Sequence, residues 1–215
     1  RSVIQNHRHV GYIFLGSRSL SSRIFAVFTF LVALWSTAQG FFIAVNSSTL
    51  ALLIVKLQHF LGIIISLCFL YFSLTYPDDK RPNRKLTPIL AVTGFVFFFL
   101  YFFTGQLIAD VLPFDGIQKW GWTFGPLQRF FDITFYGLWV SILVNIYRRW
   151  KRSPEIPLRI NLRYMFWGLL LGVMPPVVLN IFLPGISYFR LNWVGPIASA
   201  IWIYIVGYSI IKYRQ

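Results

Sequence analysis

The sequence predicts an all-α, polytopic bundle of transmembrane helices, and three observations lead to this fold class. Of the 215 residues, 57% are apolar and 12% are charged, whereas soluble domains are roughly 45–50% apolar and about 25% charged. The apolar residues form six segments, each long enough to cross a hydrocarbon core that needs roughly 20 helical residues. The 20 Lys and Arg residues outnumber the six Asp and Glu residues, and they concentrate outside these segments.

Six helices follow from the apolar segments, taken in order. Polar turns and prolines separate them: residues 46–49 form a turn that caps the second helix, residues 77–82 break the chain after it, and Pro184-Gly185 ends the fifth. Every crossing should be helical, because a backbone in lipid has no water to bond with. The predicted segments are 22–45, 50–76, 86–108, 126–147, 161–183 and 192–211.

These segments divide the chain into three parts. Residues 1–21 are expected to form a cytoplasmic or interfacial segment, residues 22–211 the helical bundle, and residues 212–215 the start of a cytoplasmic exit. The first residue is Arg rather than Met, so we expect a fragment. Residues 109–125 are predicted to form the longest loop on the side opposite the basic residues.

The basic residues predict the orientation of the bundle. Sixteen of the 20 fall on one side, together with Asp78, Asp79 and Glu155, which leaves a net charge of +13 there, and the other side is neutral. Loops rich in Lys and Arg stay in the cytoplasm, so both ends of the chain are expected there. The basic face should attract anionic lipid headgroups. Nucleic acid is not expected as a partner.

Few residues could support catalysis or metal binding. Cys68 is the single cysteine of the sequence, which excludes an intramolecular disulfide and any CxxC motif. Three histidines do not provide a nucleophile–His–acid set. Asp78-Asp79 stands without the further acidic residues that a metal-dependent transferase needs. No catalytic residue, metal site or cofactor is therefore predicted, and the membrane region itself is expected to be non-catalytic.

Lys56 and Asp132 are charged residues predicted inside helices, at a similar depth from the neutral side. A charge in lipid costs a few kcal/mol or more and usually faces a partner inside the bundle, so we expect these two side chains to approach each other. Arg129 lies one turn from Asp132 on the same helical face, and His59 one turn from Lys56. The cluster predicts either a polar pocket for a ligand or a structural ion pair.

Two tryptophans, Trp120 and Trp122, lie in the predicted loop at residues 109–125. They are candidates for the lid of a ligand site. Aromatic belts at the membrane interface use the same residue type, so both interpretations remain open.

Small residues and prolines mark the fifth helix. Gly168 and Gly172 are four residues apart, a spacing that lets helices pack closely. Pro175-Pro176 follows, and proline removes a backbone hydrogen bond and bends a helix. The pattern predicts either close packing or a hinge that transmits movement.

Scattered Trp, Gly-Pro and Tyr-Arg positions within this helix pattern carry a family resemblance. The matching stretches are residues 23–35, 56–62, 69–76, 125–126, 147–152, 162–168 and 207–215. Their order resembles the N-terminal seven-helix membrane region of bacterial sensor histidine kinases, the sensors of two-component systems. The resemblance implies that a seventh helix precedes Arg1 and that a kinase would lie outside this chain. It transfers no catalytic residue.

The leading hypothesis for function is a membrane-embedded sensory module. It would relay an outer-side or intramembrane stimulus through the sixth helix to a cytoplasmic output domain. A non-catalytic structural subunit of a larger membrane complex is the alternative, and a small transporter is less favoured. Membrane lipids, a second copy of the chain or other membrane subunits are the expected partners.

Overall fold

The computed structural model of the chain describes residues 19–116, 119–185 and 189–212. Most of the predicted N-terminal segment, Ile117 and Gln118 of the predicted loop, and the last three exit residues lie outside this part. Within it, the chain forms six long helices, short helical turns between the last two of them, and one β-hairpin. The helices are α1 (Leu20–Ala44), α2 (Ser48–Thr75), α3 (Leu86–Phe102), α4 (Gln128–Arg152), α5 (Ile156–Val177) and α6 (Gly195–Lys212).

Three helices of the described part are long and apolar enough to cross a membrane. Over an 18-residue window, mean hydropathy is 1.7 in α1, 2.1 in α2 and 1.4 in α4, and α3 is a shorter apolar helix. Serines begin the first two helices: Ser19 accepts a hydrogen bond from Ser22 N and Ser47 from Leu50 N, which satisfies donors that a helix N-terminus leaves free.

The segment between α3 and α4 contains a β-hairpin where a loop was predicted, and the fold as a whole is mostly helical, as predicted. Strands β1 (Ile108–Pro113) and β2 (Trp120–Phe124) pair as an antiparallel hairpin, with Val111 opposite Trp122. Helix α3 therefore ends at Phe102 rather than at residue 108. Aromatic and β-branched residues favour strands. Pairing lets the backbones of the two strands hydrogen-bond to each other where the chain leaves the helices.

Five of the helices pack into a closed ring. Helix α2 packs against α1 and α4, α4 against α5, α5 against α6, and α6 against α1. Both strands also pack against α2, so the hairpin covers one end of the ring. We call this the hairpin end. The opposite end, where residues 76–85 and 153–155 connect the helices, we call the basic end.

Helix α3 lies outside the ring, against α2. Gly94 allows the close approach, because a β-carbon there would lie 3.2 Å from Ile64 Cδ1. The other face of α3 presents large apolar side chains, with Phe95 68% and Phe103 66% exposed. In a membrane protein such a face is suited to lipid.

Aromatic side chains fill the core between α1 and α2. The ring centroids of Phe28 and Phe69 lie 4.8 Å apart, and those of Phe25 and Phe72 lie 5.7 Å apart. These separations fall within the 4.5–7 Å range in which aromatic pairs attract. These aromatic pairs form the part of the core that lies near the basic end.

Polar contacts close the basic end. Asp79, in the turn after α2, accepts hydrogen bonds from Ser21 N at 3.0 Å and from Ser21 Oγ, and so caps α1. Arg149 of α4 donates to Leu74 O at 2.8 Å and to Tyr76 O. The last carbonyls of a helix lack intrahelical partners, so Arg149 ties α4 to the end of α2.

Two further contacts strengthen the same junction. Asn145 Nδ2 donates to Ser73 O at 2.7 Å, and Asn161 Nδ2 donates to the Tyr76 hydroxyl. Within the described ranges one ion pair forms, between Arg149 and Asp78 at 3.8 Å. The basic end is therefore a structural junction of α1, α2, α4 and α5.

Candidate functional site

A cavity of about 90 Å³ lies inside the ring and extends from the hairpin toward the middle of the bundle. Every ring helix contributes side chains to its wall, as do the hairpin and the segment after α5. The lining residues are Phe28, Val32, Trp35, Gln39, Gln58, His59, Gly62, Ile65, Trp122, Phe131, Phe135, Trp139, Val173, Val177, Ile181, Asn192 and Ser199.

The wall of the cavity is mostly aromatic and aliphatic. Its polar members are three amides, Gln39, Gln58 and Asn192, together with His59 and Ser199. The described residues that line it include no Asp, Glu, Lys or Arg. Such a site suits an apolar molecule that a few polar contacts would orient.

Five buried nitrogen atoms of the wall have no hydrogen-bond partner among the described residues. They are Nε2 of Gln39, Gln58 and His59, and Nε1 of Trp122 and Trp139. Leaving a buried polar group unpaired costs about 1–3 kcal/mol, and most buried groups in proteins are paired. Five unpaired atoms around one cavity therefore make this cavity the candidate binding site among the described residues.

His59 lies at the centre of an aromatic cluster. Its Nδ1 is 2.9 Å from Val55 O, and its ring centroid is 5.4 Å from that of Trp122 and 5.9 Å from that of Phe131. A carbonyl oxygen only accepts, so Nδ1 carries a hydrogen, and in the neutral ring Nε2 is an acceptor. The other four unpaired atoms are donors.

The expected pairing of Lys56 with Asp132 is wrong. Lys56 Nζ donates to Thr104 O at 3.5 Å, beyond the end of α3. Asp132 Oδ1 accepts from Gln128 Nε2 at 2.9 Å, one turn earlier on α4. Similar depth does not make two side chains face each other, because the direction of each around its helix also matters. Neither residue lines the cavity.

Arg129 also lies away from the cavity, exposed in the first turn of α4. Of the sequence-predicted candidates for ligand binding, the structure therefore brings His59 and Trp122 to the cavity and leaves Lys56, Arg129 and Asp132 outside its wall. These three charged residues do not line a common pocket in the described part of the chain.

The two tryptophans of the hairpin have different positions. Trp120 Nε1 donates to Val45 O at 3.0 Å, which fastens the hairpin to the end of α1. Trp122 is 4% exposed and lines the cavity, with its ring centroid 4.7 Å from that of Phe189. Trp122 is thus placed to cover the cavity, and Trp120 holds the hairpin in position.

Helix α5 continues through Pro175-Pro176 and then changes its hydrogen-bond pattern. Residues Val178–Phe182 form a π-helical turn, followed by a short helical segment at Leu183–Gly185. Such turns are rare and occur often at functional sites. Val173 and Val177 line the cavity on either side of the prolines; the side chain of Pro176 lies outside the described part. The proposed hinge stays a prediction.

The glycines of α5 fit its close packing. Gly168 is buried and Gly172 is half-buried, in a helix that packs against both α4 and α6. A missing side chain at these positions permits the backbones to approach. The two glycines are thus compatible with close packing, and the choice between packing and a hinge stays a prediction.

Sequence reasoning missed most of the wall of the cavity. Gln39 and Gln58 were the available signal, because an amide inside an apolar span needs a hydrogen-bond partner. Formal charge pointed instead to Lys56 and Asp132. Trp139 and Ser199 gave no signal, because their sequence context does not differ from that of residues facing lipid.

Comparisons with known proteins bear on the whole chain. Residues 9–215 match the family model described as the N-terminal 7TM region of histidine kinase. No curated protein and no solved structure was found to match. The matched region is the membrane part of such kinases, and no kinase domain is detected in this chain.

Proposed function

The chain belongs to the family of N-terminal 7TM regions of histidine kinases, and from this premise we propose that the cavity receives the stimulus that the membrane region relays. Family membership makes the chain a multi-pass membrane protein with a sensory or signalling role. The observation that supports this role is that all five ring helices and the hairpin contribute residues to the wall of the cavity. An occupant would contact every element of the ring at once.

The proposed orientation places the basic end in the cytoplasm and the hairpin end outside. Loops rich in Lys and Arg stay in the cytoplasm. The described basic residues at the basic end include Lys80, Arg81, Arg84, Lys85, Arg148, Arg149, Lys151 and Arg152. Under this orientation the cavity is accessible to signals from the outer half of the bacterial cytoplasmic membrane. The basic end contacts anionic lipids.

The proposed relay runs from α5 to α6. A ligand shifts an equilibrium between two arrangements only if it binds them with different affinities. Val177 lies beside the prolines of α5 and lines the cavity, and Ser199 lines it from the first turns of α6. Helix α6 then runs to Lys212 at the basic end. A change at the cavity would therefore leave the membrane along α6, toward a cytoplasmic output domain.

Filling the cavity tests the signalling role. Val177 is 7% exposed and lines the cavity, whereas its neighbour Val178 is 42% exposed. In the full-length kinase in lipid nanodiscs, Val177→Phe is expected to change basal autophosphorylation several-fold, and Val178→Phe to leave it unchanged. Thermal unfolding of both variants identifies loss of fold. Equal activity in two folded variants would refute the proposal.

Cysteine labelling tests the orientation. Because Cys68 is the single cysteine, Cys68→Ala provides a background for Asp115→Cys at the hairpin end and Lys80→Cys at the basic end. A membrane-impermeant maleimide added to intact cells should label the first variant, and the second only after the cells are permeabilised. The reverse pattern would place the hairpin end in the cytoplasm.

A further inference from the structure

We propose that the cavity binds an uncharged molecule of about single-ring size, with an apolar body and a carbonyl-type hydrogen-bond acceptor. The role of this molecule as a stimulus rests on the proposed function, but its chemical class follows from the cavity itself. Charge, shape and hydrogen bonding each restrict the class.

Charge is the first restriction. The described lining residues carry no formal charge apart from what His59 could acquire, and the nearest candidates, Lys56 and Asp132, bond to Thr104 and Gln128 instead. A carboxylate or an ammonium group would leave water without a counter-charge, which strongly opposes its entry. The occupant is therefore neutral.

Size and shape are the second restriction. A cavity needs roughly 10–15 Å³ of probe-occupied volume to hold one water molecule, so a cavity of about 90 Å³ has room for several waters and suits an occupant of single-ring size. Six aromatic side chains surround it: Phe28, Trp35, Trp122, Phe131, Phe135 and Trp139. Aromatic faces and edges favour a flat apolar body.

Hydrogen bonding is the third restriction. The amide groups of Gln39 and Gln58 and the indole groups of Trp122 and Trp139 supply N–H donors that have no acceptor within the described ranges. His59 Nε2 is the one acceptor of the set. Among these five unpaired atoms donors outnumber acceptors, and a small ketone or a similar carbonyl compound is complementary to them.

Three matched fluorinated probes test the class by ¹⁹F NMR on the full-length protein in lipid nanodiscs. 4-Fluoroacetophenone carries the acceptor, 1-ethyl-4-fluorobenzene lacks it, and 4-fluorobenzoate is charged. Nanodiscs without protein correct for partition into lipid. We expect saturable line broadening with the ketone, binding about fivefold to tenfold weaker with the hydrocarbon for the loss of one hydrogen bond, and none with the benzoate. Equal affinity for ketone and hydrocarbon, or preference for benzoate, would overturn the proposal.

Two glycine variants locate the binding. Gly62 lines the cavity, and a β-carbon there meets Phe135 at an ordinary 3.7 Å, whereas a β-carbon at Gly137 meets nothing within 4 Å. Gly62→Leu should therefore abolish broadening by the ketone, and Gly137→Leu should leave it intact. Ketone binding that survives Gly62→Leu would place the site elsewhere and overturn the proposal.

Trp139→Phe gives a second test, because it keeps an aromatic side chain but removes the indole N–H donor along with one ring. It should weaken binding of the ketone severalfold more than binding of the hydrocarbon, and equal effects on both would argue against the acceptor. Probe binding without any change in autophosphorylation would uphold the ligand class and count against the proposed function. Altered activity in Val177→Phe without probe binding would uphold the proposed function and count against the ligand class.

Discussion

Gly125 connects the hairpin to α4, and its replacement by alanine is expected to destabilise the protein. A β-carbon at this position would lie 2.3 Å from the carbonyl carbon and oxygen of Gln106, where ordinary contacts begin at 3.4 Å. The two backbone segments must therefore separate by about 1 Å. Two hydrogen bonds cross this junction, from Gly125 N to Leu107 O and from Leu127 N to Gln106 O, both 2.9 Å long.

The expected cost of Gly125→Ala is about 1–3 kcal/mol, because each of the two hydrogen bonds contributes about 0.5–1.5 kcal/mol. Thermal unfolding in detergent, followed by tryptophan fluorescence, measures it. Gly137→Ala is the matched control: it meets no atom within 4 Å and replaces a helical glycine, so it should be neutral or stabilising by up to about 1 kcal/mol. If both variants unfold alike, the close approach at Gly125 is incorrect.

Three further predictions concern the basic end. Asp79→Ala removes the carboxylate that assists Ser19 in capping α1 and should cost about 1–2 kcal/mol. Asp78→Ala, with the same charge change at a side chain 57% exposed, should cost less than about 1 kcal/mol; equal losses would contradict this capping role of Asp79. Asn145→Leu should cost about 1 kcal/mol through its contacts with Ser73, and Ser141→Ala, which loses only a bond within α4, should cost less; unfolding of both variants decides. Replacing four basic residues by glutamine should reduce retention of phosphatidylglycerol after extraction, by about 1 kcal/mol per residue, and unchanged retention would exclude this contact. The four are Lys80, Arg81, Arg84 and Lys85.

Hydropathy located the membrane helices well because lipid imposes a strong constraint on length and composition. The second predicted segment, 50–76, differs from α2 by two residues at its start and by one at its end. Larger differences occur where the constraint ends. Helix α4 continues to Arg152 and α5 begins at Ile156, because long basic side chains can reach water while the backbone remains helical.

The hairpin and the cavity depend on contacts that composition does not reveal. Trp120 and Trp122 alternate with small and polar residues over five positions. This stretch is too short to indicate a strand beside the long apolar segments. In α3, apolar residues surround the helix on all sides, so the sequence does not indicate which face packs against α2. Only the arrangement of the helices shows that Gln58 faces the cavity and Lys56 does not.

The partner of Asp132 shows the same difficulty at the level of one side chain. Depth along α4 could be estimated from the sequence, but the direction of the carboxylate depended on the competition between Gln128 and a distant cation. The Gln128 amide is one turn away and always within reach, so the carboxylate accepts its hydrogen bond from this amide. Long-range pairing of charges therefore needs both depth and direction.

The ring closes between its first and last helices, since α1 packs against α6, and this has a consequence for biosynthesis. The ribosome releases α6 after α1 to α5, so the nascent chain inserts those five helices before the cavity has its final side. A chain stalled or cleaved before α6 would keep α1 to α5 and the hairpin, but it would lack the side of the cavity to which Ser199 contributes.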